Sequence, residues 1–378
     1  MTNKVKNITV TCVMAVLLFG LAFWAWFRPA DDFSASERRP LDKFPELSWN
    51  TIFHDEREKT FMNTFESYTL DQFPLRDTFR TLKSIASFYV FGNRDNNNIY
   101  IEDGYAAQLE YPIKEDSLDK AAEKFKAASK YFGANANFYF SIVPDKGYFL
   151  AEQNGYLSMD YAQFFSLMAD KMDFAEYIDI TGELTLEDYY KTDTHWRQEK
   201  LLGVAKKIAE SMGVTLVGEY TEKTLDVPFY GVYYGQSALP LPADDMKYLT
   251  NDILEGCTVY SYEDGKNIDV YDMEKAHGKD PYEMYLSGNL TAVKITNPNA
   301  TTEKELVIFR DSFGASLSPL LIEGYSEIII LDIRYASIAV INSYRDNTGR
   351  PMALDLKTAD DVLFIYSSLV LNNSSTFK

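Results

Sequence analysis

The sequence predicts an α/β protein: a mainly parallel β-sheet with helices on both faces, carried on a single transmembrane helix. Three observations predict it. Short apolar runs recur without polar alternation, at Phe138–Val143, Leu306–Phe309, Ile328–Leu331 and Val362–Tyr366. Strands buried on both faces read this way, whereas half-exposed strands alternate. Amphipathic segments separate these runs, as crossover helices in a parallel sheet would. Finally, Ile8–Phe27 is uncharged and, at about twenty residues, long enough to cross a bilayer as a helix.

Taken in order, residues 1–30 read as a membrane anchor. Lys4 and Lys6 precede the apolar run, and Trp24 and Trp26 stand at its far end, where interfacial aromatics collect. The basic leader predicts a cytoplasmic N-terminus at the plasma membrane, with the rest of the chain outside; Arg28, Arg38 and Arg39 weaken that signal. The competing reading is a cleaved signal peptide. A small-x-small cleavage site should then stand near Ala30, but the residues are Arg28-Pro29-Ala30, which favours an uncleaved anchor.

Residues 31–95 read as a linker followed by a membrane-proximal helical region. Pro29, Pro40 and Pro45 punctuate the linker. From about 51 to 90 the pattern is helical and aromatic, broken at Asp71–Asp77 around Pro74. His54 falls in this region and reads as a surface histidine.

Residues 96–378 read as the main domain. A strand at Ile99–Ile101 meets a turn at Asp103-Gly104. Leu118, Ala121, Ala122, Phe125, Ala128 and Phe132 form one helical face that Gly133 ends. The strand Phe138–Val143 stops at Pro144, a helix covers Tyr161–Met172, and Tyr177–Ile180 reads as a strand. Leu201, Val204, Ala205, Ile208 and Met212 mark another helical face. About 224–296 is rich in Tyr, Gly, Asp and Pro, and reads as an inserted β-rich segment.

Composition excludes some functions. The formal net charge is −19, which argues against a nucleic-acid partner, because phosphate binding needs clustered Lys and Arg. Cys12 and Cys257 make no disulfide framework, and no His, Cys or carboxylate spacing suits a metal. No glycine-rich phosphate loop or dinucleotide fingerprint occurs, so no metal or cofactor is expected.

The chemistry concentrates in two strings. The chain has three histidines, His54, His195 and His277. His277 lies in a polar stretch and reads as solvated. His195 follows Asp193 by two residues, close enough for the carboxylate to fix the imidazole tautomer and leave Nε2 free as a base. Trp196 can wall such a site. Ser312 follows the strand Leu306–Phe309 and precedes a helix start. There a hydroxyl reaches the carboxyl edge of the sheet, beside N–H groups able to hold an oxyanion. Gly314 fills the second glycine of a G-x-S-x-G elbow, but Arg310 occupies the first. The plainer alternative is that Asp311 or Ser312 caps the helix, and that Asp193 or Thr194 caps another. Lys146, after Val143-Pro144-Asp145, and Arg334 and Tyr335, after Asp332, also end strands where open α/β sheets bind ligands. Each could equally be ordinary loop polarity.

The pairing of Asp193-Thr194-His195-Trp196 with Asp311-Ser312-Phe313 resembles the DHHW family, which is similar to the alginate O-acetyltransferase proteins with an SGNH-hydrolase-like domain. The likeness extends to Asp71–Asp77, Ile99–Tyr105, Val143–Lys146 and Asp332–Tyr335. Thr194 stands where the DHHW signature has histidine, a substitution the alginate-type proteins tolerate. The glycine of the superfamily's Gly-Asp-Ser block is Arg310 here, and the acid–base pair precedes the serine. Asn372 is a guess for the superfamily's oxyanion asparagine.

The resemblance implies an SGNH-hydrolase-like α/β/α sandwich with Ser312 as nucleophile, His195 as base and Asp193 as orienter. Ser312 would accept an acetyl group and pass it to a hydroxyl of a cell-surface or secreted polysaccharide. A multi-spanning membrane acyltransferase would be the partner that delivers acetyl groups outward. Two other readings stay open: a carbohydrate esterase using the same triad, and a non-catalytic glycan-binding scaffold.

Overall fold

The structure is a computed structural model that describes residues 2–48, 61–344 and 354–378. His54 lies outside the described residues. The chain divides into two units, one of residues 1–97 with 234–240, the other of residues 98–233 with 241–378.

In the first unit, α1 (Asn3–Phe27) has no buried residue and is long and apolar enough to span a membrane. A short antiparallel pair follows, β1 (Phe33–Ser34) with β2 (Arg39–Pro40). Next come α2 (Phe61–Asp71) and α3 (Arg76–Ile85), separated at Pro74. Asp71 and Gln72 tie the extended 31–42 stretch to these helices. The buried Asp71 carboxylate accepts from Arg39 at 2.6 and 2.8 Å and from the Asp42 N–H at 2.9 Å. Gln72 accepts from the Asp31 N–H at 2.9 Å and donates to the Asp31 and Asp42 carbonyls.

The second unit begins with the hairpin β3 (Ile99–Glu102) and β4 (Tyr105–Gln108), turning through Asp103 and Gly104 at positive φ. It continues through α4 (Glu115–Ser129), β5 (Asn137–Val143), α5 (Tyr161–Lys171), β6 (Glu176–Tyr177) and α6 (Leu202–Ser211). The stretch at about 224–296 supplies the hairpin β7 (Thr221–Phe229) with β8 (Asp244–Thr250), then β9 (Thr258–Ser261), β10 (Lys266–Ile268) and β11 (Ala292–Thr296). Last come β12 (Glu305–Arg310), α7 (Ser312–Leu317), β13 (Glu327–Leu331) and β14 (Asp361–Ser367).

Eight strands form one sheet in the order β10-β9-β11-β13-β12-β14-β5-β6. The five from β13 to β6 are parallel; β11, β9 and β10 continue the sheet antiparallel. The sheet is therefore mixed, with a parallel half that carries the apolar runs.

Side chains on these runs alternate between two cores. Ile308, Ile330 and Ile365 join one core with Val204 and Ile208 of α6 and Leu317 of α7. Val307, Phe309, Ile329 and Phe364 join the other with Leu118 and Phe125 of α4 and Phe164 and Met168 of α5. A sheet covered on both faces favours apolar residues at successive positions, which is why the strands show no alternation. Truncating Ile308 to alanine would leave a cavity costing about 2–5 kcal/mol. Because β5, β12, β13 and β14 are parallel, their carboxyl ends share one edge of the sheet. There the chain presents Lys146, Ser312, Asp332 and Ser368.

Candidate active site

Ser312 opens α7 directly after β12. Asp311, not Ser312, is the cap: its carboxylate accepts from the Phe313 N–H at 3.0 Å and from the Ser367 N–H at 2.7 Å. The Ser312 hydroxyl is thus left for another partner, the His195 ring, with Oγ 2.7 Å from Nε2. On the far side of the ring, Nδ1 lies 2.5 Å from Asp193 Oδ1. The same oxygen accepts from the His195 N–H at 3.0 Å, and Oδ2 accepts from the Val232 N–H at 2.8 Å. Asp193 is buried, and His195 keeps a small exposed edge.

The loop carrying Asp193 and His195 is held from several sides. Asp244, at the start of β8, accepts from the N–H groups of Lys191 and Thr192, both at 2.8 Å, and from the Thr192 hydroxyl at 2.6 Å. Thr192 Oγ1 in turn accepts from the Gly231 N–H at 2.9 Å. Gly231 is required by close approach, because a Cβ there would stand 2.2 Å from the Asp193 Cβ. Tyr282 lies flat on His195, with ring centroids 3.8 Å apart and planes 10° apart. Its hydroxyl is 2.9 Å from Ser316 Oγ, which also accepts from the Trp196 indole N–H at 2.9 Å.

Ser312, His195, Asp193, Arg310 and Tyr282 line a cleft of about 210 Å³ together with Asp280 and Glu283. A hydroxyl, an imidazole and an oriented carboxylate in line, opening on a cleft, form the set a serine nucleophile requires. Among the described residues, no group of three or more His, Cys, Asp or Glu side chains could hold a metal ion.

No family model matches the sequence, and neither does any curated protein. Among solved structures, a DHHW family protein from Eubacterium siraeum matches 75% of this chain and 95% of its own, at 21% identity and a TM-score of 0.57. The chain shares the fold of that DHHW family protein. PatB1 of Bacillus cereus matches 72% of this chain and 96% of its own, at 20% identity and a TM-score of 0.54. A second PatB1 structure, carrying a sulfonyl adduct, matches 72% and 94%, at 19% identity and a TM-score of 0.53.

On this DHHW-type fold the remaining residues singled out in the sequence take varied positions. Arg310 is fully buried in the cleft wall. Its Nη2 donates to the Gly288 carbonyl at 3.1 Å, and its Nη1 lies 3.5 Å from Asp332. Gly314 makes room for it, since a Cβ there would meet the Arg310 Cβ at 2.4 Å. Lys146 is buried beneath the triad loop, donating to the carbonyls of Asp193 at 2.7 Å, Tyr190 at 2.8 Å and Lys191 at 3.3 Å. Burial pulls its ammonium down to about 7, against the opposing pull of Asp193. Trp196 is fully buried and also donates to the Phe313 carbonyl at 3.0 Å, joining the two strings.

Arg334 and Tyr335 do not line the cleft. The Arg334 guanidinium is taken up by Asp332 through bonds of 2.7 and 2.9 Å, and Tyr335 is half-exposed beside it. Asn372 is also elsewhere. It is buried, donates to the Pro112 carbonyl at 3.0 Å and to Glu110, and accepts from the Lys114 N–H at 2.7 Å. That amide is fully engaged in supporting the start of α4, so it corrects the guess of an oxyanion asparagine. His277 is exposed, 2.9 Å from Asp226.

Sequence reasoning missed Tyr282, Gly231, Val232 and Asp244. Gly231-Val232 lies just past the end of β7, whose register shifts between Thr224 and Pro228, and only the fold brings it against Asp193. Nothing local distinguishes Tyr282 among 27 tyrosines.

Proposed function

We propose that the protein is a membrane-anchored serine O-acetyltransferase acting on a cell-surface or secreted polysaccharide. The observation that carries this reading is the continuous hydrogen-bonded line Asp193–His195–Ser312 opening on a cleft. In this reading Ser312 Oγ attacks the carbonyl of an acetyl donor while His195 Nε2 takes the hydroxyl proton. Asp193 holds the imidazole tautomer and stabilises the imidazolium. The Ser312 N–H at the start of α7 supplies a donor to the oxyanion. Collapse breaks the donor's bond to the acetyl carbon, and the leaving group departs with the proton from His195. A sugar hydroxyl then gives its proton to His195 and attacks the acetyl-serine; collapse forms the sugar ester, breaks the bond from the acetyl carbon to Ser312 Oγ, and returns the proton from His195 to Oγ.

The sulfonyl adduct recorded for PatB1 suggests a sulfonyl fluoride as an active-site probe for this chain. The membrane helix supports an extracytoplasmic setting, with the catalytic unit beyond the membrane and a multi-spanning acyltransferase as the source of acetyl groups. With water as acceptor the same steps make an esterase.

The test is acceptor dependence. The full chain in detergent is given a chromogenic acetyl ester with and without neutral and acidic oligosaccharides, and sugar esters are sought by mass spectrometry. The transferase reading expects acetylated sugar and faster release of the chromophore with the right acceptor. Acetate release unchanged by every acceptor, with no sugar ester formed, would favour the esterase. No turnover by wild type would favour the scaffold.

A further inference from the structure

Helix α3 is amphipathic the wrong way round for a soluble protein. Leu75, Phe79, Leu82, Ile85 and Tyr89 recur at spacings of three and four, so they form one stripe along the helix and its continuation Ala86–Val90. That stripe points outward: Phe79 is 43% exposed, Leu82 55% and Tyr89 78%, and Val90 and Phe91 extend it at 73% and 75%. The inward side is polar. Ser84 is fully buried and donates to the Ser237 carbonyl at 2.6 Å, Arg80 donates to the Gly235 carbonyl at 2.7 Å, and buried Ser87 accepts from the Asn93 amide at 3.0 Å. The small polar residues hold the helix on its own unit. Seven large apolar side chains are left to the solvent, a contiguous patch of the kind that marks an interaction surface.

The occupant follows from the neighbour of this stripe. Leu75 and Phe79 border one apolar hollow with Cys12, Val13, Val16, Leu17, Gly20 and Leu21 of α1. Those are central turns of the apolar helix, which stand within hydrocarbon when α1 spans a bilayer. The stripe is therefore continuous with a lipid-facing surface.

We infer that α3 and the turn after it form a second membrane contact. In this arrangement the stripe from Leu75 to Phe91 contacts lipid beside α1, and it fixes how the first unit sits on the bilayer. The inference is independent of the chemistry at Ser312.

The test uses the full chain in nanodiscs of phosphatidylethanolamine and phosphatidylglycerol. Cys12 and Cys257 are replaced by alanine, and a single nitroxide is attached in turn at Leu82→Cys, Val90→Cys and, as a water-exposed reference, Glu210→Cys. Collision rates with oxygen, which concentrates in lipid, and with a water-soluble nickel chelate are then measured. The expected result is an oxygen-to-nickel ratio several-fold higher at positions 82 and 90 than at 210. A ratio at 82 and 90 equal to that at 210 would overturn the inference, placing the stripe in water. Exclusion of both probes at 82 and 90 would overturn it in favour of a protein partner, a second copy of this chain being the only one present.

Discussion

The phenol ring of Tyr282 lies parallel to the imidazole of His195 at a centroid distance of 3.8 Å, tethered through its hydroxyl to Ser316. The contact closes one face of the ring whose edges meet Asp193 and Ser312. A π-face also favours the imidazolium that each proposed proton transfer creates, by about 0.5–2 kcal/mol in such contacts. Tyr282→Leu should therefore slow kcat about tenfold, since 1.4 kcal/mol is a factor of ten. Tyr282→Phe, which keeps the face and loses only the tether, should retain most activity. Steady-state kinetics on the two variants separate the ring from the hydroxyl, and equal losses would argue against the π-face.

In the proposed mechanism Asp193 supplies both orientation and charge. In Asp193→Asn the amide can donate to Nδ1 and favour the wrong imidazole tautomer, with a loss of about 10⁴-fold in kcat by analogy with serine hydrolases. Circular dichroism should be unchanged. A loss under tenfold would mean that His195 does not depend on this carboxylate.

Gly231 should tolerate no side chain. The Cβ of Gly231→Ala would fall 2.2 to 2.4 Å from the Asp193 Cβ, Cα and N atoms, so backbone on one side must move. The Asp193–His195 line would shift with it, and misplacement of about 1 Å can cost 10²-fold in rate. Activity measured beside a folded-state probe checks this: wild-type turnover in Gly231→Ala would show that the approach is looser than described.

Lys146 makes stability depend on pH. Burial lowers its ammonium to about 7 in the folded protein, against about 10.4 in an unfolded chain. Between those values the unfolded state binds more protons, so this group's contribution rises with pH from about 7 to about 10 and is lost as pH falls through 7. The stability of wild type relative to Lys146→Met should then rise by up to about 1.4 kcal/mol per pH unit across that window. Denaturant unfolding at three pH values measures it. A difference that stays flat, or falls as pH rises, would mean that the three carbonyl contacts keep Lys146 fully charged.

Much of this architecture is legible in the sequence because burial on both faces leaves a plain signal. Val307 and Phe309 feed one core and Ile308 the other, so the run Leu306–Phe309 is apolar on both faces. Tyr177–Ile180 reads as a strand for the same reason, yet only Glu176–Tyr177 pairs, at the border of the sheet with β5 as its one neighbour. Ile178 still donates its N–H to the Phe140 carbonyl of β5 at 2.8 Å, and Ile180 is buried beyond that contact. The 224–296 stretch hides its role because β9, β10 and β11 run antiparallel and need no crossover helices to announce them. Asp193, His195 and Ser312 stand out by residue type and local context. Tyr282 and Gly231 do not, because stacking and close approach are made by folding and leave no local pattern.

The central claim is that Ser312 carries the acyl group, and one measurement tests it most directly. The full-length protein is treated with a chromogenic acetyl ester, quenched in acid and digested, and the peptide containing Ser312 is weighed, with Ser312→Ala and His195→Ala in parallel. The expected result is one acetyl group on Ser312 in the wild type, none on that peptide in Ser312→Ala, and little in His195→Ala. Turnover of the ester at the wild-type rate by Ser312→Ala, or acetyl found on another residue while Ser312 stays free, would contradict it.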